Sequence, residues 1–104
     1  MTVTTTETVP GHTISKSLGI AKGNTIRARH VGKDILAGLK TIVGGEIEEY
    51  TKLIAEAREQ ALDRMIEDAR AMGADAVINI RFSTSYVMGA ASEILAYGTA
   101  VKID

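Results

Sequence analysis

The stretch from Glu46 to Met72, which reads EIEEYTKLIAEAREQALDRMIEDARAM, constrains the fold more than any other part of the chain. It is dominated by Glu, Ala, Leu, Arg, Lys and Met, which all favour helices, and it contains no Gly or Pro. Gly44 and Gly45 precede it, and Gly73 follows it at the usual position of a left-handed C-terminal cap. The stretch therefore predicts one long helix.

The apolar face of this helix is wider than a single core requires. At about 100° per residue, apolar side chains span roughly 200°, whereas a helix that covers one core needs little more than about 100°. At about 1.5 Å per residue the helix would be roughly 40 Å long, which exceeds the diameter expected for a domain of this size. Both observations predict self-association, and a Glu in place of Ala57 or Ala61 is expected to break the assembly.

The segments before the long helix predict a short strand, a long strand and a short helix. Thr2–Thr6 is β-branched and ends before a Pro-Gly turn. His12–Arg29 predicts one long strand with a bulge or bend at Gly19 and Gly23, although its Lys-Gly-Asn triplet at 22–24 could instead form a hairpin turn. Val31–Val43 carries apolar residues at helical spacing and predicts a short helix.

Two strands are predicted after the long helix. Asp75–Val87 alternates, with polar residues on one parity and apolar or aromatic residues on the other: Ala76, Ile78, Ile80, Phe82 and Tyr86. Ser92–Ile103 is apolar on both faces, which is typical of a central strand, and it should form an antiparallel hairpin with Asp75–Val87. The sequence thus predicts a single α+β domain over residues 1–104, in which an antiparallel sheet is covered on one face by the long helix.

Composition excludes several classes of partner. The chain has 104 residues and a net charge of −1, so no strong field attracts it to nucleic acid or to an anionic membrane. It has no Cys, and its first residues lack the basic start and apolar run of a signal peptide. We therefore expect a cytoplasmic protein that binds neither nucleic acid nor membrane.

Several blocks of the sequence resemble the YbjQ family of uncharacterised bacterial proteins. They are VTTTETVPGHTI near the start, KGNTIRARHVGKDILAGLKTIVGGEIEEYTKLIAEAREQAL in the middle, and GADAV and AYGTAVKI towards the end. Subunits of this family are similar in topology to dodecin and form ring-shaped homopentamers. The resemblance therefore implies a homopentamer with a dodecin-like β-α-β-β core. Some members carry a heavy-metal-binding label, but the family has no established activity.

The metal ligands that the sequence offers are few. His30 and Asp34 stand four residues apart and could share a helix face, and His12 lies beside the Pro-Gly turn. Two ligands are too few for a closed zinc site, and soft metals favour thiolates, which the chain does not contain. We expect no specific metal site, with His30 and Asp34 as the candidates if one exists.

Charged residues in two places could hold a small ligand. Arg27 and Arg29 alternate on one strand face and could bind a carboxylate or phosphate, although such residues more often form a solvated surface. Arg58 falls inside the apolar sector of the helix and Asp68 near its margin, so each needs a partner, for example an ion pair between subunits or a carbonyl contact. Tyr50 could line the same surface as Arg58.

No arrangement of residues typical of a catalytic site is present, so we expect no enzyme and no cofactor. The favoured interpretation is a homo-oligomer that is structural or binds a small ligand. Two alternatives stay open: a heavy-metal-binding protein, and a protein that holds a cofactor between subunits, by analogy with the flavin of dodecin.

Overall fold

One helix packs on a four-stranded mixed sheet in the computed structural model, which describes residues 1–27, 48–87 and 91–104. The elements in chain order are β1 (Thr2–Val3), β2 (Ile14–Arg27), α1 (Glu48–Ala71), β3 (Ala76–Val87) and β4 (Ala91–Ile103). The α+β class is confirmed. The short helix expected at Val31–Val43 lies outside the described residues.

The strand order is β1-β3-β4-β2, so β4 is central between β3 and β2, as its two apolar faces predicted. The pairs β3–β4 and β2–β4 are antiparallel. β1 instead runs parallel to β3, with Thr2 opposite Ala76 and Val3 opposite Val77. The expectation of a purely antiparallel sheet is therefore wrong at β1, because the two residues of this strand enter the sheet in the same direction as β3.

β2 is one long strand, and the alternative hairpin at residues 22–24 is excluded because these residues pair continuously with β4. The ladder shifts register twice, and the second shift ends at Gly19, whose φ is +115°. The expected bulge is therefore confirmed at Gly19, whereas the ladder runs through Gly23 without a shift. The bulge also places Leu18 against the core beneath α1, whereas Ile14 packs on the opposite side of the sheet.

A bulge at Asn79 interrupts β3. The φ of Asn79 is 54°, and the ladder with β4 shifts between Ile78 and Arg81. As a result, Val77 and Ile80 both belong to the core beneath α1, whereas Ile78 packs on the other side of the sheet. The uninterrupted apolar parity expected for this strand is therefore wrong, because the extra residue reverses the side-chain alternation.

The inner face of α1 consists mainly of alanine, which lets the helix lie close to the sheet. Ala57, Ala61, Met65 and Ala69 are fully buried in the core that they share with β2 and β4. A methyl group on Gly23 of β2 would overlap the backbone nitrogen of Met65. The helix lies mainly over β2, less over β4, and touches β3 at only a few described residues. Gly73 forms the predicted cap, with a φ of +82°.

Candidate functional site

The face of the sheet that points away from α1 carries an exposed apolar surface, here called the outer patch, made of Ile20, Ile26, Leu95 and Tyr97. In β2, the buried residues at 21, 23 and 25 face the helix, so Ile20 and Ile26 face outward, with exposed fractions of 70% and 59%. Tyr97 lies opposite Lys22 in the ladder and is 38% exposed. Leu95 lies opposite Asn24 and is half-buried.

The N-terminal segment covers the other half of this face. Val9 is buried against Ala76, Ile78 and Val101. The backbone of the same segment is fixed to β3, since the N–H of Asn79 donates to the carbonyl of Thr6 at 3.0 Å. Among the described residues, the outer patch is the part of this face that the N-terminal segment leaves open.

A row of polar groups crosses the outer face beside the outer patch. One carboxylate oxygen of Glu93 accepts a hydrogen bond from Asn24 Nδ2 at 3.1 Å, and the other accepts one from Ser85 Oγ at 3.3 Å. Glu93 thereby links three adjacent strands. Both of its oxygens are occupied by neutral donors of the same chain, which is the arrangement of a structural carboxylate rather than of a free ligand.

Two helix residues cap the outer edge of β2. Asp68 Oδ2 accepts a hydrogen bond from the backbone N–H of Lys22 at 2.9 Å, and Arg64 Nη1 donates to the carbonyl oxygen of Asn24 at 2.6 Å. A depression of about 510 Å³ lies here, lined by Lys22, Asn24, Asp68, Glu93 and Leu95. The partner that the sequence required for Asp68 is therefore a backbone N–H of its own chain. Arg58, in contrast, is exposed in the single chain.

The helix side of the sheet carries a second exposed surface, here called the helix-side patch, made of Phe82, Leu62 and Ile66. Phe82 lies opposite the buried Ala96 in the ladder and so shares its face, yet it is 47% exposed because α1 hardly reaches β3. Leu62 and Ile66 are half-buried at the core. At about 100° per residue, Leu62 and Ile66 lie on the opposite flank of the helix from Arg64 and Asp68, which cap β2. That flank is the one nearer β3.

The metal ligands of the described residues do not form a centre. Within residues 1–27, 48–87 and 91–104, no group of three or more His, Cys, Asp or Glu is placed to hold a metal ion. His12 is exposed, and its Nδ1 lies 3.0 Å from the carbonyl oxygen of Asp104. The whole sequence has no Cys, so soft metals lack their preferred ligand. The described part of the chain therefore does not fit a heavy-metal centre.

Most of the other residues proposed from the sequence as ligands lie beyond what the structure describes. Arg29, His30 and Asp34 fall outside the described residues, as do the side chains of Arg27 and Tyr50. They stay predictions. The residues that sequence reasoning missed are Arg64 and the exposed apolar residues of the strands, namely Ile20, Ile26, Phe82, Leu95 and Tyr97, whereas Leu62 and Ile66 belong to the wide apolar sector predicted for the helix. The apolar character of Ile20 and Ile26 was visible, but a long strand with bulges does not show which side of the sheet each residue faces.

No helix in the described part of the chain is long and apolar enough to cross a membrane.

Comparison with known proteins finds full-length relatives. A family model described as "Putative heavy-metal-binding" matches residues 1–104. A UPF0145 protein of Methanosarcina acetivorans is 61% identical over 103 residues, covering 99% of this chain and 97% of its own. A UPF0145 protein of Archaeoglobus fulgidus is 62% identical over 101 residues, covering 97% and 94%. A third, from Dehalococcoides mccartyi, is 62% identical over all 104 residues, covering 100% of both chains.

A solved structure supports the fold alone. The crystal structure of a protein with unknown function from the DUF74 family of Pediococcus pentosaceus matches with a TM-score of 0.66 at 19% identity, covering 100% of this chain and 98% of that one. Two of the relatives above come from archaea, so the expectation of a purely bacterial family is wrong. The names of these relatives state no reaction.

Proposed function

The chain belongs to the YbjQ family, and we propose that it is the subunit of a ring-shaped homopentamer with dodecin-like topology. In this proposal the ring is structural or holds a small ligand, and it catalyses no reaction. The cytoplasmic location expected from the sequence is part of the same proposal.

The observation that carries the proposal is the shape of the chain. It extends 54 × 24 × 16 Å, and its radius of gyration is 17.0 Å, whereas a compact domain of about 100 residues has roughly 13 Å. Its accessible surface is 6752 Å², compared with about 5,700 Å² expected for a folded monomer of 11.1 kDa. A plate of two layers with this much surface supports association with further copies of the chain.

The number five rests on the family resemblance. The shape of the chain and its exposed apolar residues support association, and they would be equally compatible with other ring sizes. The family's homopentamers therefore supply the ring size, and the dodecin-like arrangement of the subunit comes from the same source.

Three of the described carboxylates have structural contacts, which supports a structural role over a catalytic one. Both oxygens of Glu93 and one oxygen of Asp68 accept hydrogen bonds that hold the sheet together. Asp75 accepts the backbone N–H of Ile103 at 3.1 Å and lies 3.6 Å from Lys102 Nζ. Groups that are used in this way are poorly placed to act as general acids or bases, which must be free to exchange a proton with substrate.

Heavy-metal binding is the second candidate, and the description of the family model favours it. In this chain it would need His30 and Asp34, or ligands supplied jointly by several subunits. The absence of Cys from the sequence argues against a soft metal. The candidate therefore ranks below a structural ring.

Native mass spectrometry of the untagged protein tests the proposal, since it measures assembly and bound mass together. The expected result is a complex of five copies of the 11.1 kDa chain. A monomer would overturn the assembly. An additional stoichiometric mass would assign the ring a ligand and would distinguish a metal ion from an organic molecule, whereas a bare ring would support the structural role.

A further inference from the structure

The two exposed apolar patches lie on opposite faces of the same sheet. The outer patch holds Ile20 and Ile26 on the face away from α1, and the helix-side patch holds Phe82 on the face that α1 leaves open over β3. Exposed apolar side chains gathered in this way mark surfaces that pack against another molecule. A single molecule of this chain cannot bring its two patches together, because the sheet separates them.

At the capped position, the edge of β2 cannot pair with a strand of another copy. The backbone N–H of Lys22 and the carbonyl of Asn24 would be free to pair with a strand of another copy, as edge strands do. They are instead occupied by Asp68 and Arg64 of the same chain. Association at this position must therefore use side chains on the faces of the sheet.

The solvent-accessible area that the chain exposes beyond that of a compact monomer is large enough for protein–protein interfaces of standard size. The chain exposes roughly 1,000 Å² more than a compact monomer of its mass would. A stable protein–protein interface buries about 800 Å² on each partner. Two such interfaces per chain would cover the surplus together with part of the ordinary surface.

We propose that the outer patch of one copy packs against the helix-side patch of the next copy. The inference rests on the proposed ring and adds which two surfaces meet. The occupant of each patch is thus a second copy of this chain, and the interface joins two different surfaces. Head-to-tail contacts of this kind close into rings when the rotation between neighbours allows it, whereas contacts of a patch with itself give dimers.

Two variants block one patch each. Ile26→Glu places a charge in the outer patch and Phe82→Glu places one in the helix-side patch. Both side chains are exposed in the single chain, so the subunit should fold with either change. Thr8→Glu adds the same charge at an exposed position outside both patches and serves as the control. Ile20→Glu and Phe82→Gln repeat the test if either first variant fails to fold, which circular dichroism would reveal.

The decisive measurement is native mass spectrometry of each variant alone and of an equal mixture. Each variant alone is expected to be a monomer, because every contact needs one patch of each kind. The mixture should give a pair that contains one chain of each variant, joined through the two patches that remain intact. Thr8→Glu should assemble like the unmodified protein.

Other outcomes would overturn the proposed contact between the two patches and would leave the proposed ring intact. A homodimer formed by either variant alone would show that the remaining patch pairs with itself. Full assembly of both variants, or a mixture that contains only monomers, would show that these two surfaces do not meet. Failure of the ring itself would appear separately, as a monomer of the unmodified chain.

Discussion

The carboxylate of Asp68 accepts a 2.9 Å hydrogen bond from the backbone N–H of Lys22, so a helix side chain occupies a donor of the sheet's edge strand. One turn earlier, Arg64 donates to the carbonyl of Asn24 two residues along the same edge. In an antiparallel edge strand, alternate residues direct both backbone groups away from the sheet. The helix therefore supplies a donor and an acceptor in the spacing that a neighbouring strand would have used.

Replacing Asp68 with Ala should lower the free energy of unfolding by about 1 kcal/mol, because the N–H of Lys22 loses its partner at a half-exposed position. Asp63→Ala, at an exposed carboxylate on the same helix, should change it by less than about 0.5 kcal/mol. Urea denaturation at one chain concentration measures both, since assembly makes stability depend on concentration. Equal effects would show that the hydrogen bond adds no stability.

Gly23→Ala should destabilise the subunit by about 3 kcal/mol, because the added methyl group meets the backbone of α1 at Met65 and Ala61. Gly11→Ala is the matched control. Nothing lies within 4 Å of a methyl group there, so only its φ of +81° is strained, at a cost of about 1 kcal/mol. Thermal and chemical unfolding compare the two variants. A smaller loss for Gly23→Ala than for Gly11→Ala would contradict the close contact of helix and sheet.

Asn79→Gly should leave stability nearly unchanged, whereas Asn79→Val should cost about 2 kcal/mol, because a β-branched residue tolerates a φ of 54° poorly. Differential scanning calorimetry measures both. If Val is accepted without loss, the bulge at this position does not persist in solution.

Ala61→Glu should prevent folding of the subunit. Ala61 lies on the side of α1 that faces the sheet, where it is fully buried beside Gly23 of β2. A carboxylate at this position would be buried away from water with no partner in the described core, and an unpaired buried charge is strongly destabilising. Circular dichroism should show loss of helix at any chain concentration. A folded monomer of this variant would instead show that residue 61 contributes to contacts between subunits and not to the core of one subunit.

His12→Ala and His30→Ala should leave the metal content of the purified protein unchanged. The described residues, which include His12 but not His30, form no metal centre, and for both residues the chain has no Cys to complete a soft-metal site. Elemental analysis after dialysis against zinc or copper measures the stoichiometry, with the unmodified protein as the reference. A fall of one metal ion per chain in the His30→Ala variant would support the heavy-metal-binding candidate.

Local chemistry was sufficient to predict the main elements. The long helix, its cap at Gly73, the β3–β4 hairpin and the central position of β4 followed from helix propensity, alternation and the two apolar faces of the last strand. These features depend on residues close together in sequence. The wide apolar sector of α1 was also real, since its centre is buried and its flanks at Leu62 and Ile66 stay half-buried.

Features that depend on distant residues could not be predicted. At the bulge, the N–H groups of Asn79 and Ile80 donate hydrogen bonds to backbone carbonyls of the N-terminal segment, and β1 is too short to show a direction. The partner of Asp68 lies 46 residues away. Of the candidate ligands, Arg58 is described and is exposed, so its proposed partner in a neighbouring subunit stays a prediction.

The bulge in β3 also determines how this strand can misalign during folding. A regular strand that slips by one residue turns every side chain to the opposite face of the sheet. In β3, a pairing without the extra residue at Asn79 would put either Val77 or Ile80 on the face away from α1. Only the bulged pairing of β3 with β4 therefore buries both residues beneath the helix, so regular pairings of this central hairpin are less favourable than the native one.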